Sequence, residues 1–178
     1  MSTIEVSAVT SSEPREPTML APSELRYLVL AVQREGNRQL NQLLAPLGLT
    51  ASQAEIILVL HEFGPITLKE LGDLIICEVG GPSRIVETLV KRELVTRIPD
   101  ERDRRAVSLS LTSSGKALVP SLLDLDRGIN AGALERLTDD QLAGLVSSMR
   151  AVLSTTNSHD ILERRFASRR TLASDLRQ

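Results

Sequence analysis

The sequence predicts a mainly α-helical protein with a small β-hairpin, and two observations support this fold class. Apolar residues recur at helical spacing over most of the chain, and three helix starts carry a Thr followed three residues later by Gln or Glu. In such a capping box the two side chains satisfy backbone N–H groups that are free at a helix start. Between Gly80 and Gly115 the pattern changes to two short runs that alternate as half-buried strands do.

The N-terminal part of the chain is predicted to contain an arm and a long helix. Residues 1–22 are rich in Ser, Thr, Glu and Pro and lack periodicity, which indicates a disordered arm. Within residues 23–48 a helix is predicted from Ser23 to about Ala45. Because it is longer than a compact domain needs, we interpret it as a dimerisation helix, with packing on its own domain as an alternative or additional role. Its regularly spaced apolar residues are Leu25, Leu28, Val32, Leu40, Leu43 and Leu47.

The next two helices are predicted from the first two capping boxes. Thr50 begins a helix that Gly64-Pro65 ends. Thr67 begins the first helix of a helix-turn-helix, which is predicted to run to about Ile76. Ile66 is expected to add a short third strand to the sheet of the hairpin.

The second helix of the helix-turn-helix is predicted to begin at Pro82, since a proline suits a first helical position. Its apolar residues fall on one arc that faces the core, and its polar residues face outward. An outward face of Arg, Thr and Lys can lie in the major groove of DNA, although the same pattern also fits an ordinary solvated face. The apolar arc contains Ile85, Val86, Leu89 and Val90, and the candidate DNA-contacting residues are Ser83, Arg84, Thr88 and Lys91.

The hairpin favours the DNA-binding interpretation. Its strands are predicted over Val95–Ile98 and Ala106–Leu111, and they enclose the loop Pro99–Arg105, in which six of seven residues are charged. From Gly80 to Lys116 eight Lys or Arg outnumber five Asp or Glu, whereas the whole chain has a net charge of −2. Such a concentration of positive charge is typical of a nucleic-acid-binding face. Residues 49–112 are therefore predicted to form a winged helix-turn-helix domain that binds DNA.

Three motifs in this region resemble those of the MarR (multiple antibiotic resistance regulator) family. They are Leu94-Val95-Thr96-Arg97, Asp103-Arg104-Arg105 and Leu111-Thr112-Ser113-Ser114-Gly115, and the similarity extends from about Leu25 to Leu153. The resemblance implies that Arg105 enters the minor groove and that Asp103 fixes its side chain. The neighbouring Arg102 and Arg104 complete the predicted DNA-binding set.

Two positions depart from the pattern of the family. Glu93 stands where the family usually has Gly, which leaves the recognition helix open to a different ending. Gly80-Gly81-Pro82 replaces the polar residues that are usual at the start of that helix. The resemblance therefore leaves direct base readout at the helix start open.

Residues 113–154 are predicted to form two further dimerisation helices. The first is capped by Thr112 and runs to about Leu134, and the second begins at the capping box of Thr138. A kink is expected at Pro120, which lies inside the first of these helices. Their apolar seams have more surface than one small domain can cover, which indicates a homodimer, as the resemblance also implies. The seams contain Leu118, Leu122, Leu125 and Ile129 in the first helix and Leu142, Val146, Met149 and Leu153 in the second.

The last residues form a separate segment in this interpretation. Residues 155–178 are predicted to be a polar and basic tail, with a possible last helix over Ile161–Leu176. This tail lies beyond the family pattern, and the sequence assigns it no role.

Composition and the remaining motifs argue against several other classes. The chain has no run of about 18 apolar residues, no secretory signal at its start and a single cysteine, so a cytoplasmic location without membrane attachment is expected. Three aromatic residues are too few for single-strand binding by base stacking. His61-Glu62 begins like a zinc-protease motif, but Pro65 occupies the place of the second His. We expect no enzymatic activity, no metal and no cofactor.

The sequence thus predicts a homodimeric, sequence-specific regulator of transcription that binds double-stranded DNA at a near-palindromic operator. Repression relieved by a small-molecule effector is the favoured mode, and the family resemblance implies an anionic aromatic compound. Two alternatives stay open: a winged protein-interaction module that contacts an acidic partner, and a redox-responsive regulator based on Cys77. The operator sequence, the effector and the direction of regulation are not visible in the sequence.

Overall fold

The structure is a computed structural model that describes residues 21–76, 81–100, 103 and 105–175. At residues 21, 22, 133, 134 and 167–175 the structure describes the backbone and not the side chains. The predicted arm up to residue 20, Cys77, Arg102 and Arg104 also lie outside the described residues. The chain divides into two compact units, Met1–Arg38 and Gln39–Gln178, and each is described by itself.

The predicted fold class is confirmed, since the described residues are mainly helical with one small sheet. The helices are α1 (Ala21–Leu44), α2 (Ala51–Phe63), α3 (Leu68–Gly72), α4 (Ser83–Lys91), α5 (Ser113–Leu134), α6 (Asp139–Leu153) and α7 (Asn157–Asp175). A single 3-10 turn, Ala45–Leu47, follows α1. The strands are β1 (Ile66–Thr67), β2 (Val95–Pro99) and β3 (Val107–Leu111).

Helix α1 begins at Ala21, so the last two residues of the predicted arm belong to the helix. Pro22 fits there because a proline in the first helical turn lacks only an N–H that has no helical partner. In the first unit, residues 21–38, several large apolar side chains of this helix are exposed to solvent in the single chain. They are Leu25, Tyr27, Leu28, Val29, Leu30 and Val32.

Helix α2 is the centre of the second unit. Its residues Ile56, Ile57 and Val59 are completely buried, and α3, α4, α5 and β3 all contact this helix. Full burial of such a side chain stabilises a fold by about 1.5–3 kcal/mol. The predicted capping box is confirmed: Thr50 Oγ1 accepts a hydrogen bond from the Gln53 amide at 3.3 Å, and the Thr50 amide donates to Gln53 Oε1 at 3.1 Å. The boxes at the starts of α3 and α6 are confirmed as well.

The three strands form one antiparallel sheet in the order β1-β3-β2. Leu109 of β3 pairs with Ile66 on one side and with Arg97 on the other, which confirms the predicted third strand. The sheet is joined closely to α5, because Thr112 caps this helix by accepting the Gly115 amide at 3.0 Å. A Cβ atom on Gly115 would lie 2.1 Å from the carbonyl oxygen of Leu94, so only glycine fits at this contact.

Helix α3 ends at Gly72, four residues earlier than predicted. The chain leaves the helix because its next residues make tertiary contacts instead. Leu74 and Ile75 are buried in the core, and the Ile76 amide donates a hydrogen bond to Glu55 Oε1 of α2 at 3.0 Å. Helical spacing alone could not show that this amide has a partner 21 residues earlier in the chain.

The C-terminal helices follow the predicted boundaries, with a longer last helix. Helix α5 runs from Ser113 to Leu134 with Pro120 inside it, and none of the described residues of α6 is buried in the single chain. Helix α7 begins at Asn157, four residues before the predicted start, and Ile161 on it is buried. Within the described residues no single helix is long and apolar enough to cross a membrane; Ser23–Leu47 and Ala51–Phe63 meet the length and composition criteria only as a bent pair.

The recognition helix α4 ends in a turn of the kind that usually contains glycine, although Glu93 stands at that position. Glu93 has φ 57°, the left-handed region that favours glycine. Its amide donates to the Val90 carbonyl at 2.9 Å and the Leu94 amide donates to the Leu89 carbonyl at 3.0 Å. These two bonds form a Schellman motif, which normally takes glycine at this position. Glu93 therefore adopts the turn geometry that normally takes glycine, and its left-handed backbone adds strain that glycine would not have.

We expect Glu93→Gly to raise the free energy of unfolding by about 0.5–1 kcal/mol. Left-handed backbone costs a non-glycine residue about 1–2 kcal/mol, and the greater entropy of glycine in the unfolded chain offsets part of that gain. Urea denaturation at one fixed protein concentration measures the difference. Glu87→Gly on the exposed face of α4 is the matched control, and there a loss of about 1 kcal/mol is expected. A Glu93→Gly protein less stable than the wild type would show that this turn stores no strain.

Candidate nucleic-acid interface

The recognition helix presents the predicted residues to solvent because its apolar arc is fixed in the core. Val86 and Leu89 are completely buried, and Ile85 and Val90 pack against the same core. The opposite face carries Ser83, Arg84, Thr88 and Lys91, and all four are exposed. Among the described residues, no carboxylate forms an ion pair with the basic groups of this face, so these cations are available to an anionic partner.

Arg92 follows this helix but has a structural role. Its Nη1 atom donates to the Gly48 carbonyl oxygen at 2.8 Å and to Gln53 Oε1 at 3.3 Å. The guanidinium therefore ties the end of α4 to the start of α2. Sequence reasoning counted Arg92 only as part of the basic charge of the region, because the contact joins residues 44 positions apart.

Strands β2 and β3 and the loop between them form the wing, and a buried carboxylate organises its tip. Asp100 is only 5% exposed, accepts a hydrogen bond from Ser108 Oγ at 2.5 Å, and accepts another from the Asp103 amide at 3.0 Å. Asp103 Oδ1 in turn accepts the Arg105 amide at 2.9 Å. The Ala106 amide donates to the Asp103 carbonyl at 2.8 Å. These hydrogen bonds fix the backbone at Asp103 and Arg105, from which the Arg105 side chain extends.

The hydrogen bonds at this tip show which part of Arg105 is in contact with Asp103. Between these two described residues the hydrogen bond runs from the Arg105 backbone amide to the Asp103 carboxylate and does not involve the guanidinium. Asp103 therefore holds the turn, and the exposed Arg105 side chain extends from it. Asp100, which sequence reasoning treated as one more loop charge, is the residue that anchors the wing. The one available signal was its spacing of eight from Ser108 across the hairpin.

Comparison with known proteins identifies the family. The family model described as MarR family matches residues 49–107, which include α4 and most of the hairpin. The chain is 30% identical over 107 residues to the HTH-type transcriptional repressor NicR of Pseudomonas putida, and the match covers 60% of this chain and 68% of that protein. This chain belongs to the MarR family. It is also 29% identical over 130 residues to the multiple antibiotic resistance protein MarR of Escherichia coli, covering 72% of this chain and 90% of that protein.

A solved structure agrees with this assignment. A cysteine-to-serine mutant of E. coli MarR, crystallised with operator DNA, matches with a TM-score of 0.66 and 27% identity, over 78% of this chain and 99% of that one. The fold, the family and the exposed basic helix and wing together define a DNA-binding regulator of transcription. The relatives are regulators and not enzymes, so this MarR-family protein is not an enzyme. Arg102 and Arg104 of the predicted set lie outside the described residues.

This MarR-family protein also has a cavity behind the sheet. It has a volume of about 720 Å³ and lies between α2, β3 and α5. Its walls are largely apolar, and basic groups are present among its lining side chains. The apolar lining includes Leu60, Leu111, Val119 and Leu123, and the charged or titratable lining includes His61, Lys116, Asp124 and Arg127, the last two of which form an ion pair with each other. A concave apolar site with a few polar groups is the usual form of a small-molecule site.

Proposed function

We propose that this protein is a homodimeric repressor of transcription that acts in the cytoplasm at a near-palindromic operator, and that a small molecule relieves the repression. The observation that carries the proposal is the exposure of two separate basic elements on one core. Arg84, Thr88 and Lys91 lie on the outer face of α4, and Arg105 extends from a wing turn that is held by hydrogen bonds to Asp100 and Asp103. A helix suits the major groove, and an arginine on a hairpin suits the minor groove beside it.

The relatives support DNA as the partner and repression as the mode of regulation. The structure of the E. coli MarR mutant contains operator DNA, and NicR is named a transcriptional repressor. The competing function, a winged module for an acidic protein partner, would use the same positive charge. It would not require the combination of an outward recognition face with an ordered wing.

The dimer is supported by apolar surface that the single chain leaves exposed. Large apolar side chains are exposed on α1, and Leu145, Val146 and Val152 are exposed on α6. Exposed large apolar side chains of this kind are typical of protein–protein interfaces. A two-fold dimer would also match the symmetry of a palindromic operator, with half-site centres about one helical turn apart.

Sedimentation equilibrium at micromolar concentration should give about twice the chain mass of 19.4 kDa. Val32→Glu should lower the dimer affinity, because Val32 is 72% exposed in the single chain and a charge is costly only if a second subunit covers it. Arg38→Glu, at another exposed position of the same helix, is the matched control. Sedimentation of the wild type as a monomer would contradict the proposal.

The effector site is proposed to be the cavity between α2, β3 and α5. The apolar walls suit an aromatic ring, and Lys116 suits a carboxylate, whereas Arg127 is already paired with Asp124. Helix α5 is proposed to link the winged domain to the dimer, so a ligand lodged against it can favour one arrangement of the two domains over another.

Calorimetry with a panel of phenolic acids should therefore show binding by at least one compound. Lys116→Met should weaken that binding by about tenfold. The loss of one charge-assisted hydrogen bond costs about 1.5–3 kcal/mol, and the exposure of Lys116 to solvent places the expected loss at the lower end of this range. Neutral analogues of the same acid serve as the control for ring burial. An absence of heat from every acid would remove the anionic aromatic class from the proposal.

The two basic elements should differ in what their loss does to DNA binding. The probes are a duplex selected by the wild-type protein from a random library and a random duplex of equal length. Arg105→Ala should weaken binding to both and reduce the salt dependence by about one phosphate contact. Arg84→Ala should cost about 1–3 kcal/mol on the selected duplex and narrow the gap between the two duplexes. Fluorescence anisotropy over a range of salt concentrations measures both effects.

Two further variants complete this experiment. Asp103→Ala should fall between the wild type and Arg105→Ala, because the arginine remains but its backbone amide loses an acceptor. Arg136→Ala, which removes an exposed charge between α5 and α6, should leave both affinities nearly unchanged. Full affinity of the Arg105→Ala protein for both duplexes would mean that the hairpin does not contact DNA.

A further inference from the structure

The C-terminal helix α7 is docked on the DNA-binding unit. Ile161 is buried, and Arg165 forms an ion pair with Glu55 of α2. The side chains of this pair are only 17% and 8% exposed. The segment that the sequence left as a polar tail without a role thus places an arginine in the interior of the winged domain.

The Glu55 carboxylate joins three parts of the fold. It belongs to α2, it accepts the guanidinium of Arg165 from α7, and its Oε1 atom accepts the Ile76 amide at 3.0 Å. Arg165 Nη1 also lies 3.5 Å from the Leu74 carbonyl oxygen. Residues 74–76 follow α3 in the helix-turn-helix, and the recognition helix begins at Ser83. The docked arginine therefore contacts the turn that leads to the recognition helix.

Weaker contacts surround this buried pair. Arg164, the neighbour of Arg165, lies 3.5 Å from Asp73, with both side chains about half exposed. Arg150 of α6 pairs with Glu163 of α7. The half-exposed Arg164–Asp73 pair contributes little to stability, and Arg165–Glu55 is the least exposed ion pair that α7 makes within the described residues.

A buried ion pair couples its two partners strongly. If Arg165 leaves, the Glu55 carboxylate loses this guanidinium, and removal of one partner of a buried ion pair is strongly unfavourable, which favours rehydration of the carboxylate. Rehydration of Glu55 changes the acceptor on which the Ile76 amide depends. The docking of α7 and the position of the turn are therefore linked through one side chain.

We propose that α7 positions the helix-turn-helix for DNA binding and that Arg165 is the positioning residue. The proposal rests on the DNA-binding function proposed above. A turn fixed before the encounter leaves less backbone freedom to be lost when α4 enters the groove. The tail is thus a built-in control element, since anything that displaces α7 lowers the affinity for the operator without touching a DNA-contacting residue.

The test compares variants that differ in the buried pair but not in charge at the DNA face. Arg165→Met should bind the selected duplex on the order of tenfold more weakly than the wild type. Its salt dependence should be unchanged, because Arg165 makes no phosphate contact in the proposal. Arg164→Met removes the same charge from the next residue of the same helix and should bind DNA as the wild type does.

A second variant guards against a simple loss of folding. In Glu55→Gln/Arg165→Met both charges of the pair are removed. The glutamine oxygen can still accept the Ile76 amide, but no guanidinium holds this side chain or the Leu74 carbonyl in place. This protein should keep the thermal stability of the wild type within a few degrees and still bind the selected duplex several-fold more weakly. Hydrogen exchange of the Leu74 and Ile76 amides should be faster in it, while exchange in the middle of α2 stays the same. A merely structural role would not single out the turn in this way.

The outcomes separate the two proposals. If the wild type shows no preference for any duplex, the proposed function fails. If the wild type binds the selected duplex and Glu55→Gln/Arg165→Met, correctly folded, binds it equally well or more tightly, the positioning role alone is overturned.

Discussion

The burial of helix α2 is the constraint on which the rest of the second unit depends. Its apolar side chains are enclosed by α3, α4, α5 and β3, and no other helix of the described part of the chain is buried on so many sides. Once α2 is enclosed, Val86 and Leu89 of α4 have one place to pack, and the opposite face of α4 must point to solvent. The outward-facing side of α4, which is proposed to face the groove, is therefore a consequence of core packing.

Two buried carboxylates then set the finer geometry of the DNA-binding elements. Asp100 anchors the wing turn through Ser108 and Asp103, and Glu55 anchors the turn that precedes the recognition helix through Ile76 and Arg165. Neither contacts DNA in the function proposed here. Because a buried carboxylate must be fully satisfied by partners, each ties together segments that apolar packing alone would leave loosely placed.

Much of this architecture could be predicted from sequence because its signals are local. Capping boxes at Thr50, Thr67 and Thr138 depend on residues three apart, and the apolar arc of α4 depends on helical period alone. What could not be predicted depends on contacts between distant residues. The early end of α3 depends on a contact between residues 21 positions apart, and the structural role of Arg92 depends on one between residues 44 positions apart. Arg165 and Glu55 are 110 positions apart. The wing carboxylate Asp100 was missed for a different reason, since a charged loop residue is exposed far more often than buried.

In the function proposed here, the outer face of α4 and the wing bind duplex DNA through its phosphates as well as its bases. The most direct test is the affinity of the wild-type protein for a selected duplex, measured across a series of salt concentrations. Several phosphate contacts require log affinity to fall linearly with log salt, by about 0.9 for each contact, with the selected duplex bound more tightly than a random one throughout. An affinity for duplex DNA that is weak, equal for both sequences and overtaken by an acidic peptide at the same salt would contradict the account.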